Sequence, residues 1–443
     1  GGVDLPSDDE FDNVSFLSHF DGANNGTNIV YDDGSASNHT ISVGGTPSQG
    51  TFGPFARPDG EWSTEFYGGS TGVIAPSSTD FTLDGAYTIE FFINLKSTAT
   101  QYFFAIGDTI NANDIEFGLL SGTTLRFYQG GYTSMSTGSE LTVNTWHHVA
   151  VTRNGSNLVT GWVDGTALGT TLTETDDADG AVTIGNTFYN GSIDSNGCQG
   201  FISNFRILKG TCLYTSNFTA PTSALTAITN TKLLTCQSNR FVDNSASAHA
   251  ITVVQLPKAS AFTPILTSEA YDSAVNGASA YFDGSGDYLS AADSADWTLG
   301  DTFTIEAWIY PPSLAAYNTV VEQNGASGFY YSALSSGAMQ FYKGIGGAVQ
   351  VDSAAVLIKN QWNHVAFVVS SGTGYHYING ARSGSSGSID IGDIGAALQI
   401  GQQGGDWPFS GYISNVRVVN GTAVYSGTTY TVPTAPLTAI TNT

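Results

Sequence analysis

Basic residues are scarce in this chain. Its 443 residues include 13 Lys and Arg against 38 Asp and Glu, and the formal net charge at pH 7 is −25. A protein of that charge repels the phosphates of nucleic acids and the anionic surface of membranes. We therefore expect no nucleic-acid partner, and a saline or calcium-rich setting in which the repulsion from an acidic cell surface is screened.

The sequence also lacks long apolar runs and has few cysteines. No apolar stretch approaches the roughly 20 residues of a membrane-spanning helix, and Gly1–Glu10 is acidic where a signal peptide would be basic and then apolar. The cysteines Cys198, Cys212 and Cys236 have no metal-ligand spacing, and an odd number cannot form a complete disulfide framework. We expect no membrane insertion and no zinc site, while one bridge between Cys198 and Cys212 stays open.

Helical patterning is missing as well. Only 12% of the residues are charged, whereas Gly (53), Phe (25) and Tyr (21) are frequent, a composition typical of many short strands joined by turns. Apolar and polar residues alternate over short runs, and Asp-Gly and Asn-Gly dipeptides predict tight hairpins. The runs are Thr88–Ile93, Leu125–Tyr128, Tyr375–Ile378 and Tyr412–Val418, and the dipeptides are Asp164-Gly165 and Asn379-Gly380. The pattern predicts an all-β chain whose strands stack as two-sheet sandwiches.

The strongest pattern in the chain is an internal repeat. Four segments of the first copy return in the second in the same order, and a fifth similarity near the front shows where the second copy begins. The pairs are Thr88–Ile93 and Thr304–Ile309, Trp146–Val151 and Trp362–Phe367, Gly200–Ile207 and Gly411–Val418, Leu225–Thr231 and Leu437–Thr443, and Asp33–His39 and Asp243–His249. The repeat predicts an acidic lead over residues 1–12 and two domains, 13–231 and 232–443. We expect a third copy to follow in a longer gene product.

Five motifs of the second copy suggest a family. They are Phe282–Leu289, Phe303–Ile309, Trp362–Ala366, Tyr377–Gly380 and Gly411–Arg417. In order and spacing they resemble the laminin-G-like jelly rolls of the concanavalin A-like lectin and glucanase superfamily. The first copy has the same set with a weaker opening, Phe66–Ser70, which lacks two aspartates. The resemblance implies two tandem antiparallel β-sandwich (jelly-roll) domains.

The end of the first copy carries a narrower resemblance. Lys209–Pro221, followed by Leu225–Thr231, is similar to a segment found in virion proteins of aquatic tailed bacteriophages. This similarity implies a fibre, spike or capsid-decorating protein at a virion surface. Such a protein would act within a homo-oligomer or a larger assembly.

The carboxylates do not have the spacing of a hydrolase in this superfamily. Glycoside cleavage needs two carboxyl groups roughly 5 to 9 Å apart, which a Glu-x-Asp-x-Glu strand would supply. No strand has that pattern, and the repeated strand carboxylates Glu90 and Glu306 stand alone. His148 and His364 lack a nucleophile or a second metal-spaced His, so we expect them to be structural. The chain is therefore predicted not to be an enzyme.

The repeated carboxylates share a strand face with aromatic residues. Glu90 alternates with Phe92, and Glu306 with Trp308. One interpretation is a sugar-facing surface, on which a ring stacks and a carboxylate accepts hydroxyl hydrogens. The alternative is that each Glu is tied to a neighbouring strand or loop.

Calcium is the cofactor that the loops suggest, because it prefers oxygen ligands from Asp, Asn and backbone carbonyls. Three clusters qualify: Asp108, Asn111, Asn113 and Asp114; Asp176, Asp177 and Asp179; and Asp283 with Asp287. Turns alone also attract Asp and Asn, whose side chains cap the backbone. The repeats differ at the first cluster, where Asn324 stands in place of Asp108.

Aromatic residues in predicted loops are further candidates for ligand contact, since Tyr and Trp give a large contact area at low entropic cost. They are Tyr132, Tyr189, Tyr330, Tyr331 and Trp407. Packing over the sandwich edge is the alternative role.

Two functional hypotheses follow. The first is a non-catalytic extracellular or virion-surface binding module that adheres to host glycans or proteins, with the repeats adding avidity. The second is a structural subunit of a fibre, filament or surface layer, held by protein contacts at exposed strand edges. A glycoside hydrolase is a distant third.

Overall fold

The computed structural model describes residues 14–18, 41–50, 52–107, 114–120, 124–136, 138, 140–189, 192–255, 257–261, 276–324, 328–344 and 349–438. Two compact units divide the chain. We call Arg57–Ser268 module A, and Gly1–Ala56 together with Glu269–Thr443 module B. The predicted boundary at residue 231 therefore does not separate the compact units.

In the described residues the strands form most of the regular structure, and the short 3-10 helices Thr79–Phe81 and Ala295–Trp297 accompany them. The first strands of the chain are β1 (Val14–Ser18), β2 (Ile41–Gly44) and β3 (Ser48–Gly50). Module A contains β4 (Ser63–Tyr67), β5 (Gly72–Ala75), β6 (Tyr87–Leu95), β7 (Gln101–Ile106), β8 (Ile115–Leu120), β9 (Thr124–Tyr128), β10 (Tyr132–Ser134), β11 (Trp146–Arg153), β12 (Leu158–Val163), β13 (Thr166–Thr173), β14 (Val182–Ile184), β15 (Phe188–Tyr189), β16 (Ser192–Ile193), β17 (Gln199–Lys209), β18 (Thr231–Thr235), β19 (Thr252–Val254) and β20 (Lys258–Ser260).

Module B continues with β21 (Ser279–Asp283), β22 (Tyr288–Ala291), β23 (Phe303–Tyr310), β24 (Tyr317–Gln323), β25 (Phe329–Leu334), β26 (Ala338–Lys343), β27 (Val349–Val356), β28 (Asn363–Ser370), β29 (Thr373–Ile378), β30 (Ala381–Ser386), β31 (Leu398–Ile400) and β32 (Ser410–Asn420). The prediction of an all-β chain with two antiparallel jelly rolls is confirmed.

Each module has two large antiparallel sheets. The front sheet of module A has the order β13-β12-β11-β6-β17-β4-β20, with β18 also on β17, and its back sheet has the order β10-β9-β8-β7-β14-β5-β19. In module B the front sheet is β30-β29-β28-β23-β32-β21-β3, with β1 on β32, and the back sheet is β27-β26-β25-β24-β31-β22-β2. The two modules therefore share one strand plan.

The order of the strands explains why the compact units differ from the predicted domains. In module A, β18, β19 and β20 come after the rest of the jelly roll and pair with β17, β5 and β4. In module B the same three places are taken by β1, β2 and β3, from the beginning of the chain. A sequence repeat shows where a pattern recurs, but not which copy its edge strands complete.

Aromatic and branched side chains fill the space between the two sheets of each module. In module A, Phe91 from β6 stacks on Phe205 from β17 with ring centroids 5.6 Å apart, and Phe104 from β7 packs on both. In module B, Phe341 and Phe367 stack 4.0 Å apart. Burial of these rings is the main source of stability in such a sandwich.

The cysteines are unpaired thiols in this structure. Cys198 and Cys236 are buried, and burial raises the pKa of Cys236 to about 12. A bridge between Cys198 and Cys212, left open by the sequence, is not formed. None of the helices in the described part of the chain has the length and hydropathy that spanning a bilayer requires.

Candidate functional site

The outer face of each front sheet is covered by a segment without regular structure. We call these segments the tails: residues 211–230 in module A and residues 421–438 in module B. In module A, Leu225 packs with Phe92 and Leu234 in a small apolar cluster. In module B, Tyr425 and Tyr430 pack on Ala366 and Val368. This face is therefore closed over much of its area.

Glu90 lies beneath the tail of module A, fully buried, and its carboxylate is saturated with donors. Arg206 donates to Oε1 from Nε and Nη2 at 3.0 and 2.6 Å, and Tyr214 of the tail donates to Oε2 at 2.8 Å. His148 Nε2 lies 3.1 Å from Oε2. Burial alone would raise the pKa of Glu90, but the His148 hydrogen bond and the charge of Arg206 outweigh it and lower that pKa.

Module B repeats the arrangement around Glu306. Arg417 donates to Oε1 from Nε and Nη2 at 2.8 and 2.6 Å, Tyr425 donates to Oε2 at 2.7 Å, and His364 Nε2 lies 3.2 Å from Oε2. Burial opposes ionisation here too, yet Arg417 and His364 lower the pKa of Glu306 to about 2. An ionised, fully hydrogen-bonded carboxylate of this kind holds the tail on the sheet.

The aromatic neighbours of these carboxylates are buried as well. Phe92 packs edge-on against His148 at 5.1 Å, and Trp308 packs against His364 at 5.1 Å and Phe55 at 5.4 Å. The structure thus places Glu90, Phe92, Glu306 and Trp308 beneath other segments of the chain, at odds with a sugar-facing role. Alternation along a strand identifies a shared face, but it cannot show that a distant tail covers that face.

The outer face of the back sheet is different. In module A one row of side chains crosses the sheet, because Thr183, Ala105, Glu116, Tyr128 and Tyr132 are successive cross-strand partners on β14, β7, β8, β9 and β10. Tyr132 is 48% exposed. The row thus carries one carboxylate and two tyrosines toward the sheet edge.

Hydrogen bonds and ring contacts fix this cluster. Tyr132 donates to Oε2 of Glu116 at 2.8 Å, and Thr187 donates to Oε1 of Glu116 at 2.5 Å. The guanidinium of Arg126 lies 4.2 Å from the ring centroid of Tyr132 and donates to the hydroxyl of Tyr102 at 2.9 Å. Burial and the hydrogen bonds to Tyr102 and Glu116 raise the pKa of Tyr132 far above its usual range. The result is an exposed tyrosine ring, with Arg126 and Tyr128 half-buried beside it, held in place by the buried side chains of Glu116 and Tyr102.

Module B has the corresponding row on its back sheet. Gln399, Glu322, Tyr330, Tyr342 and Gln350 are successive partners on β31, β24, β25, β26 and β27. The rings of Tyr330 and Tyr342 stack with centroids 4.9 Å apart. Tyr330 on β25 occupies the position of Glu116 on β8. The carboxylate of module B, Glu322, is on β24, one strand further from the sheet edge.

Trp407 extends this aromatic surface. Its ring stacks on Tyr317 at 4.2 Å, meets Tyr330 edge-on at 5.5 Å and is 37% exposed. Glu322 is fully buried and accepts from the backbone N–H of Gly404 at 2.7 Å. Burial raises the pKa of Glu322 to about 7, and the Gly404 hydrogen bond only partly offsets that effect. Glu322 is therefore held among polar groups without a positive partner among its described contacts.

The remaining aromatic candidates fall elsewhere. Tyr331 is fully buried in the core and stacks on His376 at 5.7 Å, so the prediction that it contacts a ligand is at odds with its burial. Its neighbour Tyr330 points the other way, as alternation along a strand requires. Tyr189 lies in β15, opposite Ser192 of β16.

The acidic loops are used locally where the structure describes them. Both carboxylate oxygens of Asp287 accept backbone hydrogen bonds, from Thr46 and Asp283, and Asp283 accepts from the N–H of Ser285. Asp177 lies 3.6 Å from Arg153.

Asp176 uses its backbone carbonyl, which accepts from Gln129 and Arg153, and Asp179 is exposed. Asp108, Asn111 and Asn113 lie outside the described residues. Asp114 is buried. Burial raises the pKa of Tyr128, and the charges of Glu116 and Asp114 raise it further. Within the described ranges no group of three or more His, Cys, Asp or Glu side chains is arranged to hold a metal ion.

Several residues in or beside the two rows were not among the candidates predicted from the sequence. Glu116, Arg126 and Tyr128 alternate with core residues on β8 and β9, and this alternation was the available signal. Tyr317 and Tyr342 had the same signal. Which outer face stays open could not be deduced, because it depends on where the tails pack.

A family profile described as the concanavalin A-like lectin/glucanases superfamily, of laminin G type, matches residues 67–213 and 283–424. These ranges cover more than half of the chain and one stretch in each module. The chain therefore belongs to this family of jelly-roll proteins, and its modules are of a type that includes carbohydrate binders.

Among solved structures, mouse laminin α1 domains LG4-5 are 13% identical, over 82% of this chain and 89% of that one, with a TM-score of 0.29. A proposed carbohydrate-binding protein from Bacteroides ovatus is 14% identical, over 45% and 61%, with a TM-score of 0.32. A pentraxin from Limulus polyphemus is 15% identical, over 46% and 95%, with a TM-score of 0.31. These similarities are too low to carry an argument about function. A comparison with curated proteins finds no match.

Proposed function

We propose that this protein is a non-catalytic glycan-binding protein, with one binding surface on the outer face of the back sheet of each module. The observation that carries the proposal is the exposed ring of Tyr132 in module A, which a hydrogen bond to the buried Glu116 holds in place beside the half-buried guanidinium of Arg126. Sugars are bound by stacking on aromatic rings and by hydrogen bonds with nearby polar groups, and here Arg126 can donate to sugar hydroxyls. Tyr342 and Trp407 supply the rings in module B.

The carboxylates support binding over catalysis. Glu90 and Glu306 are ionised and enclosed by Arg, His and Tyr, so neither can act as a general acid. Glu116 already accepts hydrogen bonds on both oxygens. In module B, Glu322 on β24 lies three strands from Asp352 on β27, about 14 Å at the usual strand spacing. That separation exceeds the roughly 5 to 9.5 Å of glycosidase pairs.

The setting we propose is extracellular, at a virion surface, with host glycans or surface proteins as partners. The support is the family type, the acidic charge, and the similarity of the tail of the first copy to virion proteins of tailed phages. Two weak sites on one chain would add through avidity when several copies are displayed together.

A glycan panel tests this function. The full chain is compared with Tyr132→Ala, which removes the exposed ring, and with Tyr132→Phe, which keeps the ring and loses only the hydroxyl. We expect binding by the wild-type chain, loss at module A in Tyr132→Ala, and a smaller loss in Tyr132→Phe. Absence of binding to any glycan, by a chain shown to be folded, would contradict the proposal.

Calcium stays a separate prediction, for the loop that contains Asp108, Asn111, Asn113 and Asp114. A ligand that binds only the folded state raises the unfolding midpoint, and the stabilisation grows with the logarithm of the ligand concentration relative to Kd. We expect millimolar calcium to raise the midpoint of module A, and Asp114→Asn to abolish the rise. An unchanged midpoint would contradict calcium binding and leave the glycan proposal intact.

A further inference from the structure

The two modules obtain their last three strands in different ways. In module A, β18, β19 and β20 follow β17 directly, through the tail of residues 211–230. In module B, β1, β2 and β3 take the corresponding places, yet they precede module A in the chain. We call the described residues 14–18, 41–50 and 52–55 the donor segment, and its place on β32, β22 and β21 the acceptor site.

The donor segment contributes to both sheets of module B. β1 pairs with β32 and β3 with β21 in the front sheet, while β2 pairs with β22 at the edge of the back sheet. Phe16 and Leu17 are buried in this pairing, as Leu233 and Leu234 are in module A. Without the donor, the edges of two sheets would present unpaired backbone groups, which readily recruit another strand.

The end of the donor segment covers large aromatic residues of module B. The ring of Phe52 lies 5.1 Å from Tyr310 and Tyr412 and 5.7 Å from Trp362. Phe55 is buried against Trp308 at 5.4 Å. The backbone carbonyl of Phe52 accepts from Ser279 at 2.7 Å. An empty acceptor site would therefore expose an apolar aromatic surface as well as open sheet edges.

Donor and acceptor are connected only through the whole of module A. A short tether strongly favours pairing within one chain, and that advantage decreases as the tether lengthens. The contacts of the donor are the same whichever copy supplies it, and exchange of identical elements is a low-cost route to oligomers. In module A the strands that complete the sheets follow β17 after the short tail of residues 211–230. This short tether favours pairing within one chain.

We propose that the acceptor site of module B is an assembly surface, filled by the donor segment of a second copy of this chain. Each copy of this chain then offers one donor and one acceptor, so two copies can exchange donors in a closed dimer, or the exchange can continue from copy to copy into rings or filaments. This inference is independent of the glycan-binding surfaces and agrees with a fibre or surface-layer role.

Cysteine capture between Ser42 and Ser290 tests the exchange. These residues are Cα partners on β2 and β22, close enough for a cross-strand disulfide. Full chains carrying Cys212→Ser and either Ser42→Cys or Ser290→Cys are mixed, refolded together at several protein concentrations and oxidised. The double variant Ser42→Cys/Ser290→Cys shows whether the pair can close. The matched control is Thr252→Cys with Ile74→Cys, the corresponding partners in module A.

The proposal predicts disulfide-linked dimers in the Ser42→Cys and Ser290→Cys mixture, increasing with protein concentration, and linked dimers or larger multimers from the double variant. The module A mixture should give none above the level of either single variant. Closure of the double variant as a monomer without dimers in the mixture would show pairing within one chain and overturn the proposal. If the double variant forms no disulfide at all, β2 does not pair with β22, and the proposal is overturned as well.

Discussion

At the scale of single residues, the buried carboxylates of the front sheets depend on their arginine partners. Removing one partner of a buried ion pair leaves an uncompensated charge and costs about 3 to 5 kcal/mol. We expect Arg206→Met to destabilise module A by that amount in chemical denaturation, since Glu90 would keep its charge beneath the tail. Lys96→Ala, which breaks the exposed pair with Glu65, should cost less than about 1 kcal/mol. Equal losses would contradict the buried network.

The two histidines differ in one hydrogen bond, and the repeat supplies its own test. The hydroxyl of Tyr430 bonds to Nδ1 of His364, whereas Phe218 occupies the matching place beside His148, whose Nδ1 has no partner among the described residues. We expect Phe218→Tyr to stabilise module A by about 0.5 to 1.5 kcal/mol, and Tyr430→Phe to destabilise module B by about 1 to 3 kcal/mol. Thermal unfolding of both variants measures this, and changes of the same sign would contradict it.

Glu322 gives a pH dependence with a defined sign. Its pKa rises from 4.5 to about 7 in the folded protein, so the folded state holds this proton more tightly than the unfolded state does. Its contribution to the free energy of unfolding is full below pH 4.5 and is lost as the pH rises toward 7. We expect Glu322→Gln to stabilise module B at pH 8 relative to wild type and to change little at pH 4. A variant that is equally destabilised at both values would show a structural role instead.

At the scale of secondary-structure elements, the repeated Ile-Ser-Asn motif has a structural explanation. Asn204 and Asn415 adopt positive φ angles of 53° and 50° at bulges of β17 and β32. Each side chain accepts a hydrogen bond from the backbone of the tail, from Leu225 in module A and Leu437 in module B. Asparagine suits both tasks, because it tolerates the left-handed region and carries an acceptor.

This docking predicts the effect of Asn415→Ala. The variant loses the hydrogen bond to Leu437 and places a strained residue in the bulge, at a cost of about 1 to 3 kcal/mol. We expect faster proteolysis within residues 421–438, while the tail of module A keeps its wild-type cleavage rate. Uniform protection of both tails would contradict the docking role.

Turn dipeptides and alternation predicted the strands and hairpins well, but they did not show that the tails cover the front sheets. The Asp164-Gly165 and Asn379-Gly380 dipeptides form the expected hairpin turns, with positive φ angles at all four residues. Gly165 also allows the tail to approach closely, because a Cβ there would lie 1.9 Å from the carbonyl oxygen of Phe218. Nothing in the alternation of Thr88–Ile93 indicates such a cover, because the tail contacts it from more than a hundred residues away in the chain. The ligand candidates Glu90 and Trp308 were therefore placed on a face that is closed.

At the scale of the whole molecule, the chain consists of two family modules whose strands are completed by segments at different chain positions. The family and the sandwich class could be predicted from the repeated motifs. The module boundaries could not, because strands as similar as β1 and β18 pair with β32 and β17 according to topology and not to sequence position. The exposed rings of Tyr132 and Trp407 at the back sheets become apparent only when the sheets are assembled.

The proposed glycan-binding surfaces, one on the back sheet of each module, are tested most directly by calorimetric titration. A glycan that binds the wild-type chain is titrated into Tyr132→Ala, Tyr342→Ala and the double variant, each confirmed to be folded. We predict two sites per chain for wild type, one for either single variant and none for the double variant. Unchanged stoichiometry and affinity in the double variant would contradict binding at the back sheets.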